Sequence, residues 1–178
     1  MIDLEGTRLV AATEADHTLL SNLLELYIHD LSALFPQVRL GPDGRFGYPM
    51  LPLYWGEPDK RFAYLIEQDA ALAGFILVTR GSPVSSDPDV LDIAEFFVLR
   101  RHRGSGVGQR AAFLLWRERP GKWTVRTAEA NPAAVAFWSR VVAAFTHGRA
   151  RRWQRAEGGA AWQVFELETA MDTAASDR

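Results

Sequence analysis

The stretch from Asp92 to Arg119, DIAEFFVLRRHRGSGVGQRAAFLLWRER, limits the choice of fold more than any other part of the chain. Ile93, Phe96, Phe97, Val98 and Leu99 form a short β-branched and aromatic run, the pattern of a buried strand, with the carboxylates Asp92 and Glu95 set into it. The chain then turns through Arg100, Arg101, His102 and Arg103 into Gly104-Ser105-Gly106-Val107-Gly108. A helical spacing starts at once through Val107, Ala111, Leu114 and Leu115. Pro120-Gly121 stops that helix, and Trp123 to Thr127 reads as the next strand. Strand, helix, strand implies a parallel pair joined by a right-handed crossover, with the helix covering one face of a sheet.

The flanking sequence supplies the rest of the sheet. Leu9 to Ala12 is a candidate first strand, and Thr13 to Asp16 offers an N-cap with an acid three residues on. Leu20, Leu23, Leu24, Tyr27, Leu31 and Leu34 then mark one face of an amphipathic helix, on which Tyr27, His29 and Asp30 are candidates to face a substrate. From Pro36 to Pro58 no period survives. A connection beyond about 12 to 15 residues inside a compact domain tends to be functional or disordered, and Tyr48, Tyr54 and Trp55 argue against disorder. These aromatics are expected either to wall a substrate site or to plug the open edge of the sheet.

Arg61 to Glu67 and Leu72 to Thr79 are β-rich runs joined tightly enough to require a hairpin, with Gly74 marking a bulge or a close backbone approach. Gly81 to Asp89 reads as a mobile surface loop. Asn131-Pro132 gives an N-cap and a first-turn proline to a helix buried through Ala134, Val135, Trp138, Val141 and Val142. Phe145 to Trp153 and Ala161 to Glu168, hinged at Glu157-Gly158-Gly159, form a closing hairpin. The expectation is one mixed α/β domain over 1–168 with a frayed tail over 169–178.

At 178 residues, 48% of them hydrophobic, the chain can bury one core comfortably. A net charge of −2 gives no global basic field for nucleic acid, and no apolar stretch is long enough for a membrane span. With no cysteine, disulfides and thiolate metal sites are excluded, and the histidines at 17, 29, 102 and 147 lack ligand spacing, so no metal is expected. The start of the chain lacks a signal-peptide pattern, which points to a cytoplasmic protein.

Glycines at 104, 106 and 108 clear side chains from a helix N-terminus, where free N–H groups and the helix dipole can meet phosphate oxygens. Spacing separates the phosphate binders. Gly108 is followed by Gln109, not the Lys-Ser/Thr of a mononucleotide P-loop. A dinucleotide fold needs its first glycine tight against the strand and its third one residue later than here. A serine nucleophile elbow would need glycine where Arg103 stands, which removes Ser105 as a nucleophile.

On these residues the chain resembles the GNAT superfamily of N-acetyltransferases. Arg103, Gly106 and Gly108 match its coenzyme A motif, Arg/Gln-x-x-Gly-x-Gly/Ala, and Gly104 adds a frequent extra glycine. Asn131-Pro132-Ala133-Ala134-Val135-Ala136-Phe137-Trp138 is similar to the second signature, an Asn, an Ala three later, then Phe-Tyr. The resemblance implies a GNAT-like fold, a mostly antiparallel mixed sheet with helices on both faces and the parallel pair at the glycine turn. It implies acetyl-CoA as cosubstrate, held by Phe97, Val98, Arg103, Gly104, Ser105, Gly106, Val107, Gly108 and Asn131, with Arg100 and Arg101 near the adenosine phosphates. Arg110 and Arg117 would continue that basic track or simply lie in solvent.

The chemistry assigns further roles. An alkyl amine of pKa about 10.4 is less than about 0.1% neutral at pH 7, so a base must remove its proton before it attacks a thioester. Glu95 is the first candidate and Asp92 the second. A regular strand would point them to opposite faces, and the bulge the family carries here can re-aim them. The oxyanion would meet a free N–H on the splayed strand, at Val98. For the leaving thiolate the family supplies a Tyr where this chain has Trp138, whose indole is no useful acid. Either the thiolate leaves unprotonated, Tyr54 or Tyr27 serves, or catalysis is lost. The expected acceptor is a small-molecule primary amine in a pocket lined by Tyr27, Tyr48, Tyr54, Trp55 and Trp138. A non-catalytic acyl-CoA sensor and a protein N-acetyltransferase are the alternatives, and the sequence leaves a homodimer open.

Overall fold

In the computed structural model, which describes residues 4–157 and 159–170, the two β-rich runs pair as the hairpin β2 (Arg61–Gln68) and β3 (Ala71–Arg80). Asp69 and Ala70 both take positive φ at the two-residue turn, which matches the twist of the strands. Ala73 to Val78 are buried without alternation, as befits a strand covered on both faces. β1 (Thr7–Ala11) adds to β2, and β4 (Leu91–Val98) adds to β3, both antiparallel. Gly74 serves both expected purposes. A register shift next to it makes a bulge, and an added Cβ would lie 2.0 Å from the Phe97 carbonyl oxygen.

β5 (Gly121–Ala128) runs parallel to β4 and antiparallel to β7 (Ala160–Thr169), which pairs with the edge strand β6 (Arg151–Glu157). The sheet order is β1-β2-β3-β4-β5-β7-β6. α3 (Val107–Glu118) and α4 (Pro132–Thr146) cover one face, where Ile76, Val78, Ile93, Trp116, Trp138 and Phe165 form the larger core. α1 (His17–Ser32) and the single turn α2 (Leu53–Gly56) cover the other, over Phe75, Leu77 and Phe97.

Some boundaries move. Phe145 is the end of α4 instead of a strand start, because its ring packs on Phe113 and Trp116 and the helix closes at His147 in a left-handed conformation. β7 still includes Thr169, buried and hydrogen-bonded to Gly121, while Gly158 and 171–178 lie outside the described residues. The loop expected to be mobile is tied down: Ser82 donates to Asp92 and Lys122 pairs with Asp87. The long connection after α1 is held by one carboxylate, Glu25, which accepts from the Phe46 and Gly47 amides at 2.7 and 3.0 Å.

Candidate active site

Two irregularities in β4 build the site. Its pairing with β5 stops after Ile93, although β5 continues beside β7 to Ala128, so the parallel strands part and leave a gap. Within β4 the register against β3 jumps at Ala94, since Leu77 opposes Glu95 and Val78 opposes Ile93. The extra residue undoes the odd spacing between Asp92 and Glu95. Ile93, Phe96 and Val98 belong to the α3/α4 core and Phe97 to the α1/α2 core, so both carboxylates take the α1/α2 face. The Leu99 amide bonds back to Ala73 of β3, and strand alternation therefore turns the Val98 N–H the other way, towards the gap.

The glycine turn sits at the mouth of this gap. Gly104 and Gly106 have φ of 79° and 85°, and Gly106 caps α3 with no side chain, which leaves the first N–H groups of the helix facing outwards. Gly108 is required by packing, since a Cβ there would come within 3.2 Å of the Phe137 ring on α4. The side chains of Ser105 and Val107 are engaged elsewhere: the Ser105 hydroxyl donates to the His102 carbonyl, and Val107 is buried in the core. Arg103 donates to the Val98 carbonyl at 2.7 Å and to Asp30 at 2.7 Å, and Arg100 reaches the same Asp30 carboxylate at 2.6 Å. Burial pushes Asp30 up, yet the hydrogen bonds from both arginines overcome it and hold the carboxyl below its usual range. Arg110 is no part of a phosphate track, because its guanidinium donates to Thr7 and Gln68 in the β1–β2 pair.

Asp92 and Glu95 share a face and little else. Asp92 is fully buried, accepts from Thr124 and Ser82, and is gripped by Arg126 through Nε at 3.0 Å and Nη2 at 2.7 Å. That buried ion pair counts against Asp92 as a base, since the carboxylate lines neither cavity. Glu95 is partly buried, and burial pushes its carboxyl above the usual range. Hydrogen bonds from Tyr27 and Tyr48 work against that rise, the Tyr48 hydroxyl donating at 3.1 Å. Burial, then the Glu95 charge, raise both of these phenols, and the same two causes push Tyr54 up to about 12. All three tyrosines are therefore neutral donors at physiological pH.

Two cavities meet at the gap. The larger, about 740 Å³, runs from Phe97 and Val98 past Arg103, Gly104, Gly106 and Gly108 to Asn131 and Phe137. The smaller, about 420 Å³, holds Glu95, Arg126, Phe35 and Trp162. Tyr27, Leu31, Phe96, Asn131, Ala134 and Trp138 border both. Asn131 caps α4, accepting from the Ala134 amide at 3.0 Å. The expected aromatic wall needs correction: Tyr48, Tyr54 and Trp55 line neither cavity, and they do not plug an edge of the sheet either, since they pack in the α1/α2 core on one sheet face, from which the Tyr48 hydroxyl reaches Glu95. His29 meets the Phe46 ring edge-on and lines neither cavity. Phe35, Gln37, Arg126 and Trp162 carried no motif, and their positions depend on how the gap opens. Among the described residues no group of three metal-binding side chains converges.

The family model described as "Acetyltransferase (GNAT) family" matches residues 23–142. No curated protein sequence matches the chain. Among solved structures, an acetyltransferase from Thermus thermophilus superposes with a TM-score of 0.63 at 18% identity, covering 90% of this chain and 97% of that one. Spermidine N-acetyltransferase from Vibrio cholerae, in complex with CoA and spermine, gives 0.62 at 12% identity over 92% and 96%. The yncA protein from Salmonella typhimurium, with its cofactor acetyl-CoA, gives 0.61 at 13% identity over 97% and 98%. At these identities the likeness is one of fold. No helix among the described residues is long and apolar enough to cross a membrane.

Proposed function

Because the chain belongs to the acetyltransferase (GNAT) family and is an acetyl-CoA-dependent acyltransferase, we propose that it acetylates a primary amine of a small molecule by direct attack in a ternary complex. The observation that carries this reading is the position of Glu95, a carboxylate with a raised pKa that borders the gap where the two cavities meet. The larger cavity fits the donor, whose thioester supplies the activated acetyl group: Gly104 and Gly106 expose helix N–H groups to a pyrophosphate, and Gly108 lets α3 and α4 close behind it.

Glu95 takes one proton from the incoming ammonium, and the neutral amine attacks the thioester carbon. The Val98 N–H faces the charge that develops on the carbonyl oxygen. As the C–N bond forms and the C–S bond breaks, the sulfur needs a proton. Tyr27 is our candidate to give it, since it borders both cavities and lies close enough to Glu95 for the carboxylate charge to raise its phenol. Its phenol then recovers the proton held by Glu95, which is free to take the second nitrogen proton and release it to water. The sum is one amide, one CoA thiol and one proton. Tyr27 thus fills the role that Trp138 does not, which favours turnover over a non-catalytic acyl-CoA sensor.

The test is incubation with acetyl-CoA and a set of primary amines, followed by mass spectrometry. Free CoA and an N-acetylated amine in equal amounts are expected, and Tyr27→Phe should lower kcat by about tenfold or more while acetyl-CoA binding measured by calorimetry is unchanged. Acetyl-CoA left intact with every amine would sink the reading.

A further inference from the structure

We infer that the acceptor is a compact monoamine with an aromatic or bulky apolar body, and not a polyamine or a peptide; this rests on the acetyl-transfer reading above. The smaller cavity, about 420 Å³, is in the range of a small-molecule site. Its charged lining residues among those described are Glu95 and Arg126. Glu95 matches one ammonium. Asp92 is the next acid on this face, and it is already neutralised by Arg126 and buried beneath it.

A second ammonium on the acceptor would therefore lose its water without gaining a carboxylate, and it would do so beside the Arg126 guanidinium. Burying a charge without a partner is strongly unfavourable. The rest of the lining selects the opposite kind of tail. Phe35 comes from the chain just beyond α1, Trp162 from β7 and Trp138 from α4, while Leu31 and Ala160 complete the apolar surface between them. An acceptor that places its ammonium at Glu95 lays its body against this wall, where desolvation is favourable. A peptide backbone would bring amide groups into the same place, against a lining whose neutral polar side chains are Tyr27, Gln37, Thr127 and Asn131.

The experiment compares 2-phenylethylamine, spermidine and a lysine-containing peptide at saturating acetyl-CoA, reading CoA thiol release. The expected result is a kcat/KM for 2-phenylethylamine at least about 100-fold above the other two. Trp162→Ala should raise KM for that amine by about tenfold or more and leave KM for acetyl-CoA unchanged, with Trp162→Phe restoring most of the loss. Equal or better use of spermidine or the peptide overturns the inference and leaves amine acetylation standing. An unchanged KM for 2-phenylethylamine in Trp162→Ala, with the variant folded by circular dichroism, also overturns it. If acetyl-CoA binds but no amine in the set releases CoA, the reading of the preceding subsection fails and this one fails with it.

Discussion

Asp92 and Glu95 lie three residues apart on one strand and face the same way, yet their surroundings are opposite, and the roles proposed for them rest on that difference. Around Asp92 the sheet is continuous. β4 still pairs with β5 there, so Thr124 and Arg126 stand close enough to satisfy the carboxylate completely, and Ser82 closes the remaining side. Around Glu95 the sheet has parted. The groups that reach it are neutral phenols from α1 and from the long connection, and the gap lies in front. A carboxylate with a full set of charged and hydroxyl partners is a strut, whereas one that is desolvated but only softly held keeps a usable lone pair and a pKa nearer neutrality. One bulge at Ala94 and one broken ladder separate the two environments.

The sharpest way to break this comparison is to neutralise Glu95. Glu95→Gln keeps the shape and an acceptor for the Tyr48 hydroxyl but cannot take a proton, so kcat should fall by about 10² to 10⁴-fold, about 3 to 5 kcal/mol in barrier. Acetyl-CoA affinity by calorimetry should be retained. A variant within twofold of the parent would return Glu95 to the class of structural carboxylates.

Removing Asp92 should show the converse. Asp92→Ala leaves the Arg126 guanidinium facing a buried apolar hole, with Thr124 and Ser82 losing their acceptor. The expected cost is about 3 kcal/mol of unfolding free energy by urea titration, at the low end for a broken buried pair because Arg126 keeps part of its side chain in water. Any loss of turnover should track the unfolded fraction. A fully folded Asp92→Ala with abolished turnover would mean that Asp92 acts in the chemistry after all.

How far the sequence reached can be seen in the same two residues. The apolar run from Ile93 to Leu99, the glycines at 104, 106 and 108, and Asn131-Pro132 are local signals. They located the central strand, the helix N-terminus and the α4 cap without needing any partner. Which of Asp92 and Glu95 is the ion-paired carboxylate and which borders the gap was not legible, because it depends on Arg126 and Thr124 arriving from thirty-odd residues away in parallel register. The long connection misled for a related reason. Tyr54 and Trp55 are aromatic residues in a region without period, and composition does not say whether such rings face a cavity or fill the space beneath a short helix. Trp162 and Phe35 became wall residues through the parting of β4 and β5, a tertiary event with no local spacing to mark it.

The smallest effect, and the one that probes the environments most directly, is on stability as pH changes. Burial raises the Glu95 pKa in the folded chain. The folded state therefore binds that proton more tightly than the unfolded state, where the carboxyl titrates near its ordinary ~4.3. By linkage, stability falls as pH rises from the unfolded pKa through the raised folded one. Glu95→Gln removes that fall. The variant's Tm should lie above that of the parent at pH 7, and the two should converge as the pH approaches 4, where Glu95 is itself neutral. Asp30 works with the opposite sign, since its lowered pKa contributes stability that is present above its unfolded value and is lost as pH falls. That loss is common to both proteins and cancels in their difference. Differential scanning calorimetry of the pair across pH 4 to 8 reads the difference directly. A parent more stable than Glu95→Gln at pH 7 would show that Glu95 is held by its neighbours more strongly than burial opposes it, and the contrast between the two carboxylates would disappear.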